Sequence, residues 1–210
     1  MFANASSVKR HSRNIFLAAL LVAIAGCAVT PPDAVNLAAL DTWETRNAVL
    51  GGIRDWDFKG RIAVKAGDDG FNAKFSWTQR GDEFQATVSG PLGIGTVRIE
   101  GDGTDVTLTD KDGVETRLDD AEAELLWRYG WTIPVESLRY WALGIPDPAE
   151  PANTELDDEN RLQRLEQSDW TVEISRYAEG GGQQMPRILM ARNSDTRVRM
   201  VIDRWLFFEN

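Results

Sequence analysis

The chain has 210 residues, of which 33 are acidic and 23 are basic, so its formal net charge at pH 7 is −10. This length fits one globular domain, and the acidic balance argues against nucleic acid as a partner, because phosphate backbones are bound by basic surfaces. The single histidine, His11, and the single cysteine, Cys27, both lie near the N-terminus.

The N-terminus has the pattern of a secretory signal. A basic start (Lys9–Arg13) precedes an apolar run of eleven residues, Ile15–Ala25. A bilayer-spanning helix needs roughly 20 apolar residues, so this run is typical of a removable signal peptide. Small residues stand directly before Cys27, which is the pattern that a lipoprotein signal peptidase accepts. An ordinary signal peptide with a coincidental cysteine is the alternative.

We therefore expect residues 1–26 to be removed and Cys27 to carry an N-acyl and an S-diacylglycerol lipid. Residues 27–33 would form a lipidated tether and residues 34–210 a single domain. Several acyl chains hold a protein stably on a membrane where one does not. The removed segment has three basic and no acidic residues, so the mature net charge would be −13. Any membrane contact beyond the anchor should then be apolar.

The residue inventory of the mature chain also restricts its chemistry. Without an imidazole or a free thiol it cannot use Ser-His-Asp or Cys-His catalysis, or bind a metal through His or Cys. We predict no catalytic residue, no metal site and no cofactor apart from the covalent lipid on Cys27.

The first half of the chain has strand patterns after one helix. A helix is predicted over residues 36–50. Apolar and polar residues then alternate, most clearly from Phe71 to Thr78, and turn residues separate the runs. Further sequence-adjacent antiparallel strands are predicted around residues 60–65, 84–88, 96–100, 106–108 and 114–118.

The middle of the chain has helical patterns and the second half returns to strands. Asp119 or Asp120 caps a helix that ends at Gly130, and Pro134 opens a short helix that closes at Gly144. An exposed connector follows to about Glu159. Four more strands are predicted over residues 161–167, 171–177, 187–192 and 197–203.

A twisted antiparallel sheet of about ten or eleven strands must curl or close. We expect a mainly β fold, an open and strongly curved barrel covered by short central helices. Its inner face would be apolar and suited to acyl chains, which need area more than hydrogen bonds. A filled core made from the same residues is the alternative. The residues expected to line the cavity are Phe71, Phe75, Trp77, Phe84, Val88, Val97, Ile99, Trp141 and Met200, and alternation also places Met190 inside.

The loop Gly90–Gly95 places Leu92 and Ile94 among glycines and a proline. Loop tips are normally solvated. These two side chains are therefore either folded back onto the sheet or offered to an apolar partner, and the pattern leaves both open.

Acidic clusters give weaker signals. Asp110–Glu115 lacks the ligand spacing of a calcium loop and is typical of a hairpin turn. Carboxylates at positions 119–120 and 157–159 could suggest glycoside hydrolysis, but caps and connectors explain them without catalysis.

Five segments occur together in the order of one known family. They are the lipobox at Cys27, Phe58–Val64, Phe75–Trp77, Gly90–Gly93 and Pro134–Gly144. Through them the chain resembles the LolB family, the outer-membrane lipoprotein receptors of the Lol sorting pathway in Gram-negative bacteria, over essentially the whole mature chain.

The resemblance implies an open β-barrel covered by helices, with a hydrophobic cavity for the acyl chains of other lipoproteins. It implies cargo delivered by a soluble periplasmic LolA-like carrier, release into the outer membrane without nucleotide hydrolysis, and a loop leucine, here Leu92, that assists insertion. Ala28 fits the sorting pattern for the outer membrane. We expect a monomer that faces the periplasm. A structural or assembly lipoprotein with a filled core that binds another protein is the alternative function. Whether the aromatic tail from Trp205 to Phe208 faces a cavity or the surface is left open.

Overall fold

Most of the described chain lies in one antiparallel sheet. The computed structural model describes residues 34–90, 95–102, 105–120, 123–124, 126–127 and 134–209. The elements are α1 (Trp43–Gly52), β1 (Asp55–Ala66), β2 (Asp69–Arg80), β3 (Glu83–Ser89), β4 (Val97–Gly101), β5 (Val106–Thr109), β6 (Glu115–Leu118), α2 (Val135–Leu143), β7 (Asn153–Leu156), β8 (Leu162–Gln167), β9 (Trp170–Gly180), β10 (Gln183–Arg192) and β11 (Thr196–Phe207).

The sheet has 11 strands in the order β6-β5-β4-β3-β2-β1-β11-β10-β9-β8-β7. The first and last strands in sequence, β1 and β11, are therefore neighbours at its centre. The edge strands β6 and β7 are not paired with each other, so the sheet is open. This confirms the prediction of an open antiparallel sheet with helices.

Bulges bend the central strands. The pairing of β1 with β11 shifts register between Lys59 and Gly60, and a Cβ atom on Gly60 would lie 2.1 Å from the carbonyl oxygen of Val201. Only glycine fits at this approach. A further shift occurs between β9 and β10 near Pro186. Because bulges bend a strand and increase its twist, they curve the sheet and make one face concave.

Helix α2 has the boundaries that its sequence predicts. It follows Pro134 and ends at Gly144, which adopts a left-handed conformation (φ 79°). The Gly144 N–H donates to the carbonyl oxygen of Trp141, and the Ile145 N–H donates to that of Tyr140. These bonds satisfy carbonyl groups at the helix end. The predicted cap before the preceding helix is also present, since the Asp120 side chain accepts from the Ala123 N–H at 3.0 Å.

The prediction of a helix from residue 36 is wrong at its start. Helix α1 begins at Trp43, after Thr42 caps it by accepting from the Thr45 N–H. The residues before it are extended, because Val35 N–H donates to the Phe207 carbonyl oxygen at 2.8 Å and Leu37 N–H donates to that of Gly181 at 2.8 Å. The connector before residue 159 also holds an unpredicted strand, β7.

Candidate functional site: an apolar inner face

Alternation along each strand gives the sheet one apolar face, here called the inner face. On β1 it carries Trp56, Phe58 and Val64, and on β2 it carries Phe75 and Trp77, all of which are buried. The pairing register places these residues side by side, with Phe58 opposite Trp77. The other inner-face residues, from β1 and from the remaining strands, are Ile62, Phe84, Ala86, Ile99, Leu108, Leu165, Trp170, Val172, Ile174, Leu189, Val198, Met200, Ile202, Trp205 and Phe207.

All nine residues predicted to line a cavity belong to the apolar cluster or pack against it, and Trp141 does so from α2. Six of them are buried and three are half-buried, and the half-buried ones are Phe71, Val88 and Val97. Whether they hold acyl chains stays a prediction.

The inner-face prediction for Met190 is wrong. It lies directly opposite Arg199 on β11, whereas Leu189 lies opposite the buried Met200. The register shifts in β10 next to Pro186 alter the alternation before this point.

Aromatic rings form a continuous patch at the centre of the inner face. Trp56 stacks on Trp77, with 6.2 Å between ring centroids, and Trp77 stacks on Phe84 at 4.9 Å. Phe58 meets Phe75 edge to face at 5.4 Å. Aromatic pairs in such geometry add about 0.5–1.5 kcal/mol beyond their buried area. The patch is therefore a rigid apolar surface.

The C-terminal aromatic tail divides between the two faces. Trp205 and Phe207 are inner-face residues of β11, with 7% and 1% of their surface exposed. Trp205 packs 5.2 Å from Phe58, and its Nε1 donates to the carbonyl oxygen of Pro186. The Arg80 guanidinium lies over the ring of Phe208, at 4.6 Å from the ring centroid. Alternation in Trp205–Phe208 was the signal that could have placed these side chains.

On β2, β3 and β4 burial of the inner face decreases toward one end of the sheet, whereas on β1, β9 and β11 it does not, since Val64, Val172 and Val198 are buried there. At the lower end, where β2 turns into β3, Trp56 and Gln79 border a groove that Leu50 of α1 and Leu143 of α2 also line. The upper end carries the β1–β2 turn and the loop that starts at Gly90. On β2, β3 and β4 the half-buried residues of the face lie toward this end, and they are Phe71, Ala73, Val88 and Val97.

A buried glutamine attaches α2 and its following loop to the sheet. Gln167, 3% exposed at the end of β8, accepts from Trp141 Nε1 at 2.9 Å and from the Asp147 N–H at 3.0 Å. Its own amide donates to the carbonyl oxygens of Asp147 and Glu150, each at 2.8 Å. This side chain satisfies four polar groups and so fixes the position of Trp141 over Trp170. Sequence reasoning missed it, because it lies at an apolar register position.

A second polar cluster attaches α1 to β9. The Tyr177 hydroxyl donates to the Leu162 carbonyl oxygen at 2.7 Å, and the guanidinium groups of Arg46 and Arg161 lie 5.8 Å and 4.5 Å from its ring centroid. Burial raises the pKa of Tyr177 well above its ordinary value and lowers the pKa of Arg46. Burial also raises the pKa of Asp157, but hydrogen bonds from Arg161 and attraction to its charge bring the pKa below the ordinary value.

Three predicted site residues, Cys27, Leu92 and Ile94, lie outside the described residues. Within the described ranges, no helix is long and apolar enough to cross a bilayer. The same part of the chain brings no group of three His, Cys, Asp or Glu residues together in a way that could bind a metal ion. The Asp110 carboxylate accepts from the N–H groups of Asp112 and Val114, as in the predicted hairpin turn.

Comparisons with known proteins agree with this architecture. The family described as "Outer membrane lipoprotein LolB" matches residues 54–205. An outer-membrane lipoprotein LolB from Nitrosococcus oceani is 35% identical over 186 residues, covering 88% of this chain and 92% of that protein. The LolB of Pseudomonas aeruginosa is 34% identical over 194 residues, covering 91% and 95%. A LolA superfamily protein from Nitrosomonas europaea has a similar fold at 10% identity, with a TM-score of 0.54 and coverage of 80% and 94%.

Proposed function

This chain belongs to the LolB family of outer-membrane lipoproteins, and from that premise we propose how it acts as a lipoprotein receptor of the Lol pathway. It is a transport receptor and not an enzyme. In the proposal a LolA-like carrier brings a lipoprotein across the periplasm to this monomeric protein. The acyl chains of the cargo bind to the inner face and are then released into the outer membrane, where the lipid on Cys27 anchors the receptor.

One observation supports this proposal most, and it is the gradient of burial along β2, β3 and β4 on the inner face. At the lower end Leu50 of α1 and Leu143 of α2 cover the face, and Trp56 and Trp77 are only 1% exposed. Toward the upper end the apolar residues Phe71, Val88 and Val97 are only half-buried. Apolar area that an open sheet leaves partly uncovered is favourable for hydrocarbon, since burial gains about 25 cal/mol per Å². We infer that acyl chains enter at the upper end.

Binding through apolar area also supplies a direction for transfer. Each methylene buried contributes about 0.8 kcal/mol, so a difference of two buried methylenes between two sites gives about a tenfold bias. Cargo would pass from the carrier to this inner face and then to the bilayer, which buries the chains completely. No nucleotide hydrolysis is needed for such a descent.

In the sequence Leu92 and Ile94 follow β3, whose last residue, Ser89, lies at the upper end. We propose that these side chains enter the bilayer during release. The anchor on Cys27 would keep the domain next to the membrane and raise the local concentration of cargo there.

The decisive experiment presents an acyl-labelled lipoprotein on its carrier to the full-length receptor in vesicles. We expect the label to move to the wild-type protein and then to the bilayer. Val88→Trp, which fills the entrance, should reduce transfer about tenfold. Val114→Trp is the matched control, because Val114 is 57% exposed in the β5–β6 turn and should not alter transfer. Absence of transfer to the wild-type protein would overturn the receptor mechanism.

The same assay separates acceptance of cargo from its release. Leu92→Glu should still accept the label from the carrier but deposit it poorly in vesicles, because a carboxylate does not enter the apolar layer. Normal deposition by this variant would contradict the role of Leu92. A fluorescent fatty-acyl probe tests the filled-core alternative, since a core without space would leave tryptophan emission unchanged when the probe is added.

A further inference from the structure

The outer face of the central strands is basic, although the chain as a whole is acidic. Lys59 and Arg204, which lie opposite each other on it, are exposed and form no ion pair within the described ranges of the chain. Toward the upper end, four more cations on this face are exposed and form no ion pair in the same ranges. They are Lys65 of β1, Lys74 of β2, and Arg197 and Arg199 of β11. We call these four residues the basic outer face. Arg61 and Arg192 border it and are paired with Asp203 and Glu173.

The pairing register brings like charges into direct contact positions. Lys65 lies opposite Arg197, which also lies opposite Arg192 on its other side. Arg61 lies opposite Lys74. Like charges directly opposite each other destabilise an antiparallel pair. Folding of the sheet therefore does not explain this arrangement, and an anionic partner would.

A groove of about 310 Å³ runs between these side chains. Ala63 forms its small floor between Arg199 on β11 and Asn72 on β2, and Arg61 and Lys74 line the same groove. Two carboxylates, Asp68 and Asp69, line a neighbouring groove with Lys65 and Arg197, but neither forms an ion pair with them in the described part of the chain. Several cations around one small hollow suit an anionic group such as a phosphate.

The basic outer face lies toward the upper end of the sheet. Ser89, where β3 ends, is the direct partner of Lys74. Lys65 and Arg197 lie at the β1–β2 turn and at the start of β11. The cations are thus close to the strand ends from which the Gly90–Gly95 loop departs.

We propose that the basic outer face docks the domain on anionic phospholipid headgroups of the membrane. Strands lie about 4.8 Å apart and alternate residues about 7 Å apart along a strand, so the cations form a flat array that extends beyond the one groove. A lipid surface offers phosphates at every position of such an array. The negative net charge of the chain does not reveal this basic face, because most of the carboxylates lie elsewhere in the chain. The inference does not depend on acyl-chain binding.

The test uses the full-length protein reconstituted in vesicles, with an environment-sensitive dye on Asn72→Cys beside the groove. In vesicles with phosphatidylglycerol we expect the dye to report contact with headgroups. That contact should be lost in neutral phosphatidylcholine vesicles. It should also be lost in about 0.5 M salt, because salt on this order screens surface charge. A dye on Glu83→Cys, at the lower end, should not respond to lipid charge.

Variants then assign the contact to the cations. Each basic residue near an anionic bilayer raises binding about fivefold, so Lys65→Gln, Lys74→Gln and Arg199→Gln together should lower the docked-to-undocked ratio about a hundredfold. The control combines Arg54→Gln, Lys111→Gln and Arg117→Gln, which changes the charge equally but away from this face. Its docking should equal that of the parent.

Three results would overturn the proposal. The Asn72 dye could respond equally to neutral and anionic vesicles, or the two triple variants could lose contact equally. The first triple variant could instead keep its membrane contact and lose binding to an acidic protein such as the carrier, which would assign the face to that protein. Cargo transfer from the carrier is scored separately, so its failure and the failure of docking are distinguishable.

Discussion

The inner and outer faces of the central strands have opposite chemistry, although the same three strands, β1, β2 and β11, build both. Inside, Phe58, Trp77 and Met200 pack with almost no exposed surface. Outside, Lys65, Lys74 and Arg199 are exposed. The difference arises from the two-residue period of a strand, which sends successive side chains to opposite faces.

This contrast shows that the net charge of the whole chain does not describe the charge of one face of the sheet. The net charge of −10 predicts a surface that avoids anionic membranes, yet the central outer face is basic. The acidic residues lie mostly in turns and on other strands. Charge has to be assigned face by face before it predicts a partner.

The strongest test of the contrast replaces one side chain on each face of β2 by alanine. Trp77→Ala removes a ring that stacks on Trp56 and Phe84, and we expect it to lower the free energy of unfolding by about 4 kcal/mol. Thr78→Ala, on the outer face, should change it by less than about 0.5 kcal/mol. Urea unfolding measures both, and equal losses would show that the faces are not distinct.

A somewhat smaller loss in the free energy of unfolding is expected at Gln167, the buried polar residue that attaches α2 to the sheet. Gln167→Leu keeps the volume but leaves the Trp141 and Asp147 N–H groups and two carbonyl oxygens without their partner. We expect a loss of about 3 kcal/mol in the free energy of unfolding. Gln85→Leu is the control, because Gln85 lies on the outer face. A neutral result for Gln167→Leu would mean that α2 is held by apolar contacts alone.

The Asp157–Arg161 pair makes a pH-dependent contribution at the lower end. The folded pKa of Asp157 lies below its ordinary value, so its contribution is present above about pH 4 and is lost as the pH falls through the folded pKa. Asp157→Asn should cost about 1.5 kcal/mol at pH 7 and progressively less below pH 4. Urea midpoints from pH 7 to pH 3 measure this, and Asp158→Asn, at an exposed neighbouring position, is the control and should change the free energy of unfolding at pH 7 by less than about 0.5 kcal/mol.

The smallest expected effect has the opposite sign. Lys65→Gln with Arg197→Gln removes a directly opposed like-charge pair, and we expect the free energy of unfolding to rise by about 0.5 kcal/mol at low salt. The gain should disappear in 0.5 M salt. Lys111→Gln, in an exposed turn, serves as the control. A loss of stability in the double variant would show that these cations have stabilising partners within the fold.

Much of the fold could be predicted because its signals are local. Alternation from Phe71 to Thr78 placed β2 and its inner face, and Pro134 with Gly144 placed α2. Met190 was misplaced because the bulge near Pro186 alters the period, and a bulge depends on the partner strand. Residues 36–42 were misassigned because Leu37 N–H donates to Gly181 and the preceding Val35 N–H donates to Phe207, and both acceptors are distant in sequence.

The sequence by itself determined the strand periodicity, the positions of turns and helix caps, and the family, since these depend on short-range patterns and ordered motifs. Only the tertiary structure decided that β1 pairs with β11, that Gln167 holds α2, and that Lys65 and Arg197 meet on one face. Those features come from contacts between segments far apart in the chain. No local pattern encodes which strand will lie beside which, because pairing is decided by how the whole sheet buries its apolar face.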